Sequence, residues 1–362
     1  MKKVIIVTGA AGFIGSSLIV ALSKEYNIVA IDRRTPTNAL VAAAPNVNWK
    51  ELNIADAKNV HNTFQQMKAD FGKIDYVIHL AAYYHFGNDW NSEYEKTNIH
   101  GTENIINAAI NYRVQRIIFT SSIAAMEPPQ HGYSLNEKSP TSDYFPYARS
   151  KSAGEKIIRN VSRKIPGIVL RLGGVFSDWC ELPPLYSLIR LWSGIGPFSR
   201  IIPGKGESGI PYIHISDVIE IINRCILLHD QLEPYETFLA SQKGAILHKD
   251  LFSAIRLSLS NPRSIKPIYV SPSMVKIGLN LRSIFDMNLN QVSVEQPWMI
   301  EYIDRPWRVD NSYTQKKLNW HCSPDRYILE KIPAILKLYE EQKYKWVDRN
   351  MNRFSGNYLY SE

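Results

Sequence analysis

The pentapeptide YARSK sets Tyr147 and Lys151 four residues apart, with Ser150 beside the lysine. A phenol ordinarily titrates near pH 10, about three units above neutrality, and an ammonium one helical turn away favours its ionised form. The pair therefore has the makings of a proton-transfer device, and Pro146 just before it is well placed to start the helix that would align it. Two polar residues sharing a solvated helix face explain the five residues equally well. A second stretch, VIIVTGAAGFIG, places Gly9, Gly12 and Gly15 at intervals of three. Glycines at that spacing permit a tight turn, close approach of backbone to a pyrophosphate, and close packing of helix on strand, with helix N-terminal amides facing the phosphates. A nucleoside triphosphatase loop would need Lys followed by Ser or Thr after the last glycine. Ser16 and Ser17 follow Gly15 instead, which disfavours that chemistry.

Positioning these groups requires a particular order of elements. Short β-branched runs at residues 4–7, 28–31, 47–52, 76–80, 117–120 and 168–172 read as strands, and amphipathic stretches at 13–23, 57–70, 94–112 and 147–162 read as helices. The alternation predicts an α/β fold: a doubly wound, mostly parallel Rossmann sheet with right-handed crossovers. The glycines then lie between the first strand and the first helix. Asp32, ending the second strand, can accept both hydroxyls of an adenosine ribose and would repel a 2′-phosphate, which favours NAD; Arg33 and Arg34 leave NADP open. Ser121 and Ser122 of FTSS fall just past the fifth strand, at the carboxyl edge where open α/β sheets bind ligands. Beyond about residue 177, Pro and Gly become frequent and no second clean βαβ series follows. The expected organisation is an NAD(P)-binding Rossmann domain at 1–176, a smaller mixed substrate-binding lobe at 177–330 with some chain returning to the sheet, and a C-terminal helix and tail at 331–362. The charged and aromatic end, EEQKYKWVDRNMNRFSGNYLYSE, suits packing on the body, a partner contact or disorder equally.

At 362 residues, 45% hydrophobic and 21% charged, the chain has the composition of a soluble globular protein. Its net charge of +8 is spread along the chain rather than striped, which argues against nucleic acid and for a basic surface that suits an anionic ligand. Cys180, Cys225 and Cys322 are widely separated, so a reducing, cytoplasmic setting is expected. Lys2 and Lys3 before an apolar run imitate a signal peptide, but Thr8 to Gly12 interrupt it, and no apolar stretch is long enough to span a bilayer. His85, His131 and His214 are candidate pocket residues, more simply read as structural histidines, and no metal-ligand spacing is visible.

The ordered series TGAAGFIG, NIAD, HLAA, TNIHGT, FTSS, YARSK, LRLGGVF, YIHISDV and DNSYTQKKLNW resembles the extended short-chain dehydrogenase/reductase family, also called the NAD-dependent epimerase/dehydratase family, over about residues 3–324. The resemblance implies a cofactor turn of Gly9, Gly12, Phe13, Ile14 and Gly15. Asn53 and Ile54 would meet the adenine, although the family usually has Asp where Asn53 stands, and Leu80, Ala81 and Ala82 would line the cleft. Tyr84 stands where some sugar epimerases carry a cofactor-binding lysine. Asn98 matches a position that braces the central helix, and an ordinary buried amide accounts for it nearly as well. Ser122 aligns with the family's catalytic hydroxyl residue and would orient the reacting oxygen, with Ser121 as its structural neighbour. Tyr147 would exchange the proton of a hydroxyl or carbonyl, while Lys151 lowers its pKa and holds the nicotinamide ribose. Homodimerisation through two helices per subunit is a further expectation of the resemblance.

Substrate class is less constrained. Sugar 4,6-dehydratases of this family follow the hydroxyl residue with Asp and Glu, whereas Ile123 and Ala124 follow Ser122. The nucleotide-sugar pattern NxYGP is replaced by GGVFSDW, and no Arg precedes YIHISDV. Arg305 of DRPWRVD could hold a diphosphate, although the segment from it to Asp310 is shorter than in those enzymes. The apolar region IYVSPSMVKIGLNLRSIF is more like relatives that oxidise hydroxysteroids or reduce hydrophobic ketones, and a core or surface helix explains the same residues. The expectation is an NAD(P)-dependent oxidoreductase acting on a small-molecule secondary alcohol or ketone, hydrophobic or sterol-like. A nucleotide-sugar epimerase is the first alternative. A non-catalytic dinucleotide sensor is the second, disfavoured because sensing does not need Ser122, Tyr147 and Lys151.

Overall fold

Runs of Val and Ile without polar alternation form strands buried on both faces, as a parallel sheet covered by helices requires. The computed structural model describes residues 2–36, 38–85, 87, 89–130, 132–260, 265–278 and 297–354. Six strands appear where the apolar runs predict them: β1 (Val4–Thr8), β2 (Asn27–Asp32), β3 (Val47–Glu51), β4 (Tyr76–His79), β5 (Arg116–Ser122) and β6 (Gly167–Leu172). Four shorter strands follow, β7 (Gly174–Phe176), β8 (Ile201–Pro203), β9 (Gly209–Ile210) and β10 (Tyr212–His214), and then β11 (Tyr235–Ala240).

The main sheet has seven strands in the order β11-β6-β5-β4-β1-β2-β3, and every pairing in it is parallel. Because β1 lies between β2 and β4, with Val7 opposite both Ala30 and Ile78, the chain reverses its winding at β1 and opens a crevice at the carboxyl ends of β1 and β4. The seventh strand, β11, lies beyond residue 176. It is reached through the helix Ile215–Leu227, so the chain after β6 makes one further crossover to the sheet, through a strand that is not among the apolar runs read from sequence.

Helices cover both faces. Apolar residues of α1 (Phe13–Leu22), such as Leu18 and Ile19, join Ile5, Val7 and Ile118 on one side. On the other, Val60, Phe64 and Met67 of the helix Ala57–Phe71 pack with Ile6, Val77 and Phe119. Over the predicted helix at 94–112 the chain first runs as a π-helix, Tyr94–His100, and only then as an α-helix, Gly101–Asn111. The helix that carries YARSK, here called α2 (Pro146–Val161), starts at Pro146 and packs against β5 and the π-helix Tyr94–His100.

A separate apolar cluster lies in the chain beyond β6. It includes Phe176, Trp192, Phe252, Ile332 and Trp346, the last from the C-terminal helix Lys343–Phe354, which is therefore docked on the body. All three cysteines are buried and free. Among the described residues no helix is long and apolar enough to cross a membrane.

Candidate active site

A cleft of about 1260 Å³ opens over the carboxyl ends of β1, β4, β5 and β6. Its floor is backbone. Gly9 sits at φ +69°, and a Cβ there would come 2.7 Å from the Ala81 amide nitrogen; a Cβ on Gly15 would come 2.2 Å from the Gly9 carbonyl oxygen. Only glycine lets α1 start this close to β1. Gly12 caps α1 without a side-chain hydrogen bond, and no acidic residue occupies the first turn, so α1 itself contributes no anion at the positive end of its dipole. Gly9, Gly12, Phe13, Ile14 and Gly15 all line it, as do Leu80 and Ala82. Ala81 stands behind them, its amide donating to the Thr8 hydroxyl at 3.2 Å.

The Asp32 carboxylate accepts from the Ala11 amide at 3.0 Å and the Arg34 amide at 3.3 Å, which fixes it beside the glycine turn. Arg33 turns away to an ion pair with Glu93 at 3.3 Å, and Arg34 is the arginine that lines the cleft. Asn53 and Ile54 do not line it. The Asn53 side chain caps its own turn by accepting from the Ala55 amide, and Ile54 is buried, within 2.8 Å of where a Cβ on Gly101 would lie. A bare glycine turn, a helix N-terminus without acid and a cleft larger than the roughly 300–1,000 Å³ of ordinary small-molecule pockets fit a dinucleotide with room for a second ligand.

Three side chains converge farther along. Ser122 ends β5, Tyr147 opens α2 and Lys151 follows one turn later, and all three line the cleft. The Ser122 hydroxyl hydrogen-bonds Tyr147 and also accepts from the Ala124 amide at 3.1 Å. Lys151 Nζ donates to the Thr120 carbonyl at 2.9 Å and lies 6.0 Å from the Tyr147 ring centroid. Burial raises the Tyr147 phenol above its ordinary value and outweighs the lowering by Ser122, so in this structure the expected depression of its pKa by Lys151 is not what controls it. Burial also lowers the Lys151 ammonium to about 8, opposed by the Glu155 carboxylate. Ser121 also lines the cleft, but its hydroxyl is engaged by Glu155, to which it donates at 2.6 Å.

Around this triad the walls are aromatic. Tyr84 meets the Tyr147 ring edge-on with centroids 4.8 Å apart, and Tyr144, Tyr302 and Trp307 line the same cleft. Asn98 accepts from the Tyr83 amide at 2.6 Å and donates to the Tyr83 carbonyl and the Ser150 hydroxyl, each at 2.9 Å, tying the π-turn to the loop bearing Tyr84 and to α2. Of the histidines named from sequence, His85 accepts from the Gly87 amide and His214 caps the helix Ile215–Leu227; neither lines the cleft, and His131 lies outside the described residues. His248 does line it. So do exposed Arg305, which has no carboxylate partner among the described residues, and Arg349, whose guanidinium pairs with Glu181. Sequence reading passed over Tyr144, His248, Trp307 and Arg349. The run YFPY directly before the YARSK helix was a usable signal for Tyr144, but nothing local marks Arg349. Of the apolar region starting at Ile268, residues 279–285 lie outside the described residues; within the remainder Val275 lines the cleft, while Met274 and Ile277 are exposed.

Residues 5–240 match the family model described as the NAD dependent epimerase/dehydratase family. A dTDP-D-glucose 4,6-dehydratase of Mus musculus is 30% identical over 235 residues, 60% of this chain and 63% of that protein. The enzyme of the same name from Dictyostelium discoideum is 28% identical over 241 residues, 59% of this chain and 53% of its own. The chain thus spans between half and two thirds of the length of these curated relatives. Among solved structures, the UDP-glucose 4-epimerase of Thermotoga maritima with UDP-glucose superposes with a TM-score of 0.70 at 19% identity, over 94% of this chain and 99% of that one, a likeness of fold. With the family model covering well over half of its residues, this chain belongs to the NAD-dependent epimerase/dehydratase family, whose cofactor is NAD.

Proposed function

We propose that the protein is an NAD-dependent enzyme that oxidises a hydroxyl-bearing carbon of a nucleotide-activated sugar, and that it epimerises the sugar rather than dehydrating it. The observation that carries this reading is a single cleft lined by the glycine turn, Tyr147 and the exposed Arg305, which has no carboxylate partner among the described residues. A guanidinium there has the fork geometry to hold a diphosphate while the sugar lies against Tyr147. The curated relatives at 28% and 30% identity are named for a nucleotide sugar, which moves the weight from the hydrophobic alcohol expected from sequence to the sugar. Dehydration needs an acid and a base beside the reacting carbon; the side chains of Ile123 and Ala124 carry no ionisable group, so neither supplies them.

In this reading Tyr147 accepts the sugar hydroxyl proton as its carbon is oxidised and returns it on reduction, Ser122 orients the oxygen, and Lys151, largely cationic at neutral pH, favours the phenolate. NAD supplies the hydride acceptor when bound. Gly9, Gly12, Phe13, Ile14 and Gly15 would hold its pyrophosphate, and Asp32 its adenosine ribose. The oxidation of a hydrophobic alcohol remains a second reading because of one observation: the walls beside Tyr147 are Tyr84, Tyr144, Tyr302 and Trp307.

The test incubates protein and NAD with UDP- and dTDP-hexoses, follows products by NMR, and runs sterols and simple secondary alcohols in parallel with detection of NADH. Conversion of a nucleotide sugar to its stereoisomer without net NADH is expected, with turnover reduced about 10²- to 10⁴-fold in Tyr147→Phe. NADH from an alcohol and no change in any nucleotide sugar would establish the second reading; unchanged turnover in Tyr147→Phe would remove the role given to that residue.

A further inference from the structure

Behind Lys151, away from the cleft, lies a buried polar assembly that the reaction as described does not use. Glu155 falls one turn beyond Lys151 on α2, so Tyr147, Lys151 and Glu155 follow at intervals of four along one face. The Glu155 side chain is 2% exposed and so is that of Arg171, which reaches it from β6: Nη2 donates to Oε2 at 2.8 Å and Nε to Oε1 at 3.0 Å. Ser121 of β5 supplies a further hydrogen bond to Oε1 at 2.6 Å. Arg171 continues to the Ser139 carbonyl at 2.8 Å, on the loop that leads into α2. One carboxylate therefore joins the helix carrying Tyr147 and Lys151 to both strands beneath it.

We propose that Glu155 is a positioning residue: clamped by Arg171 and Ser121 one helical turn beyond Lys151, its buried carboxylate acts through space to keep Lys151 cationic beneath Tyr147. The need is physical. Lys151 is 5% exposed, and burial alone favours its neutral form, which could neither stabilise a phenolate nor serve as a full hydrogen-bond donor. The titratable groups facing it are Tyr147 and Glu155 from α2, buried His79 from β4, and Arg171 of β6 behind Glu155. β5 offers only the Thr120 carbonyl and the Phe119 ring, 5.1 Å from Nζ. His79, hydrogen-bonded through both ring nitrogens and held neutral by burial, contributes no anion. Glu155 is the one carboxylate among these groups, and it opposes the effect of burial on Lys151.

The inference rests on the Tyr147 and Lys151 assignment, but its test is read on the substrate-free protein. Lysine labelled with ¹³C at Cε is titrated by NMR, with Lys151→Arg identifying the resonance. In wild type the midpoint is expected near 8. In Glu155→Gln, which keeps the shape and the hydrogen bond from Ser121, the midpoint should fall by about one pH unit or more. Glu155→Asp should recover part of that shift. Where an unpaired Arg171 prevents Glu155→Gln from folding, the double variant Glu155→Gln/Arg171→Gln replaces the ion pair by neutral amides, a change that buried pairs often tolerate; its midpoint should also fall, by less. A folded variant with a lower melting temperature and an unmoved Lys151 midpoint would show that Glu155 is structural only and overturn the proposal. Failure of the catalytic assignment is a separate result, read from Tyr147→Phe turnover.

Discussion

The two ends of the cleft are built differently. At the glycine-turn end the lining comes from neighbouring stretches of chain: the turn and α1 after β1, Arg34, Asn38, Leu40 and Val41 after β2, and Leu80 and Ala82 past β4. At the substrate end it is side chains gathered from distant segments, with Tyr84, Tyr144, His248, Arg305 and Arg349 on five different stretches of chain. A glycine turn and a helix N-terminus suit a diphosphate, whatever molecule carries it. Side chains can be exchanged one at a time without disturbing the fold, which is why specificity sits there. The family match ends at residue 240, before His248, Arg305 and Arg349.

This contrast is most easily broken at Gly15. Adding a methyl group there places carbon 2.2 Å from the Gly9 carbonyl and 2.8 Å from Ala10 Cα, both backbone atoms that cannot rotate away, so α1 must lift from β1. Gly15→Ala should cost about 1–3 kcal/mol or more of stability and abolish NAD binding, as seen by thermal denaturation and calorimetric titration of the same sample. NAD binding at wild-type strength in that variant would mean that the turn is not the cofactor site.

At the substrate end a single change should be local. Arg305→Gln should raise KM for a nucleotide sugar about 10- to 100-fold, roughly 1.4–3 kcal/mol, while melting temperature and NAD affinity stay at wild-type values. Unaltered KM would shift the diphosphate away from Arg305; a loss of NAD affinity as well would erase the distinction between the two ends.

How far each end can be read without a structure follows the same division. Strands β1 to β6 are legible because a parallel sheet needs apolar residues on both faces, and that demand writes itself as unbroken Val and Ile runs. β11 escapes because it is an edge strand with polar content: Glu236 is buried within it, accepting from the Tyr313 hydroxyl at 2.8 Å with Lys317 at 3.6 Å, contacts made some 80 residues away. The π-turn at Tyr94–His100 escapes because the partners of Asn98, the Tyr83 backbone and Ser150, come from elsewhere in the chain. Spacing alone brought Tyr147 and Lys151 under consideration, but both serines line the cleft, and only the fold shows that Ser122 bonds Tyr147 while Glu155 takes Ser121. Arg33 and Arg34 were indistinguishable until Glu93 drew one of them aside. Electrostatics was the least legible layer: proximity of an ammonium predicts a depressed phenol pKa, and burial, invisible in the sequence, reverses the direction.

A smaller effect separates the rigid end from the adaptable one by pH. His79 sits under the cofactor turn, its Nδ1 at 2.6 Å from the Thr8 hydroxyl and its Nε2 at 2.9 Å from the Thr102 hydroxyl, and burial lowers its pKa from an ordinary 6.5 to about 3. Thr8 in turn accepts from the Ala81 amide, so a neutral His79 is part of what holds the wall behind the cleft. Because the folded pKa is depressed, the unfolded chain binds the extra proton first. The contribution of His79 is complete above about pH 6.5 and is lost as pH falls from there toward 3, at no more than about 1.4 kcal/mol per pH unit. Denaturant melts at pH 7 and pH 5 should therefore show a fall in stability that His79→Gln reduces, since glutamine binds no proton over that range. The substrate end need not take part: with Arg305→Gln the same fall should persist. An identical pH dependence in wild type and His79→Gln would place the acid sensitivity elsewhere and remove the claim that this buried imidazole helps to fix the cofactor end.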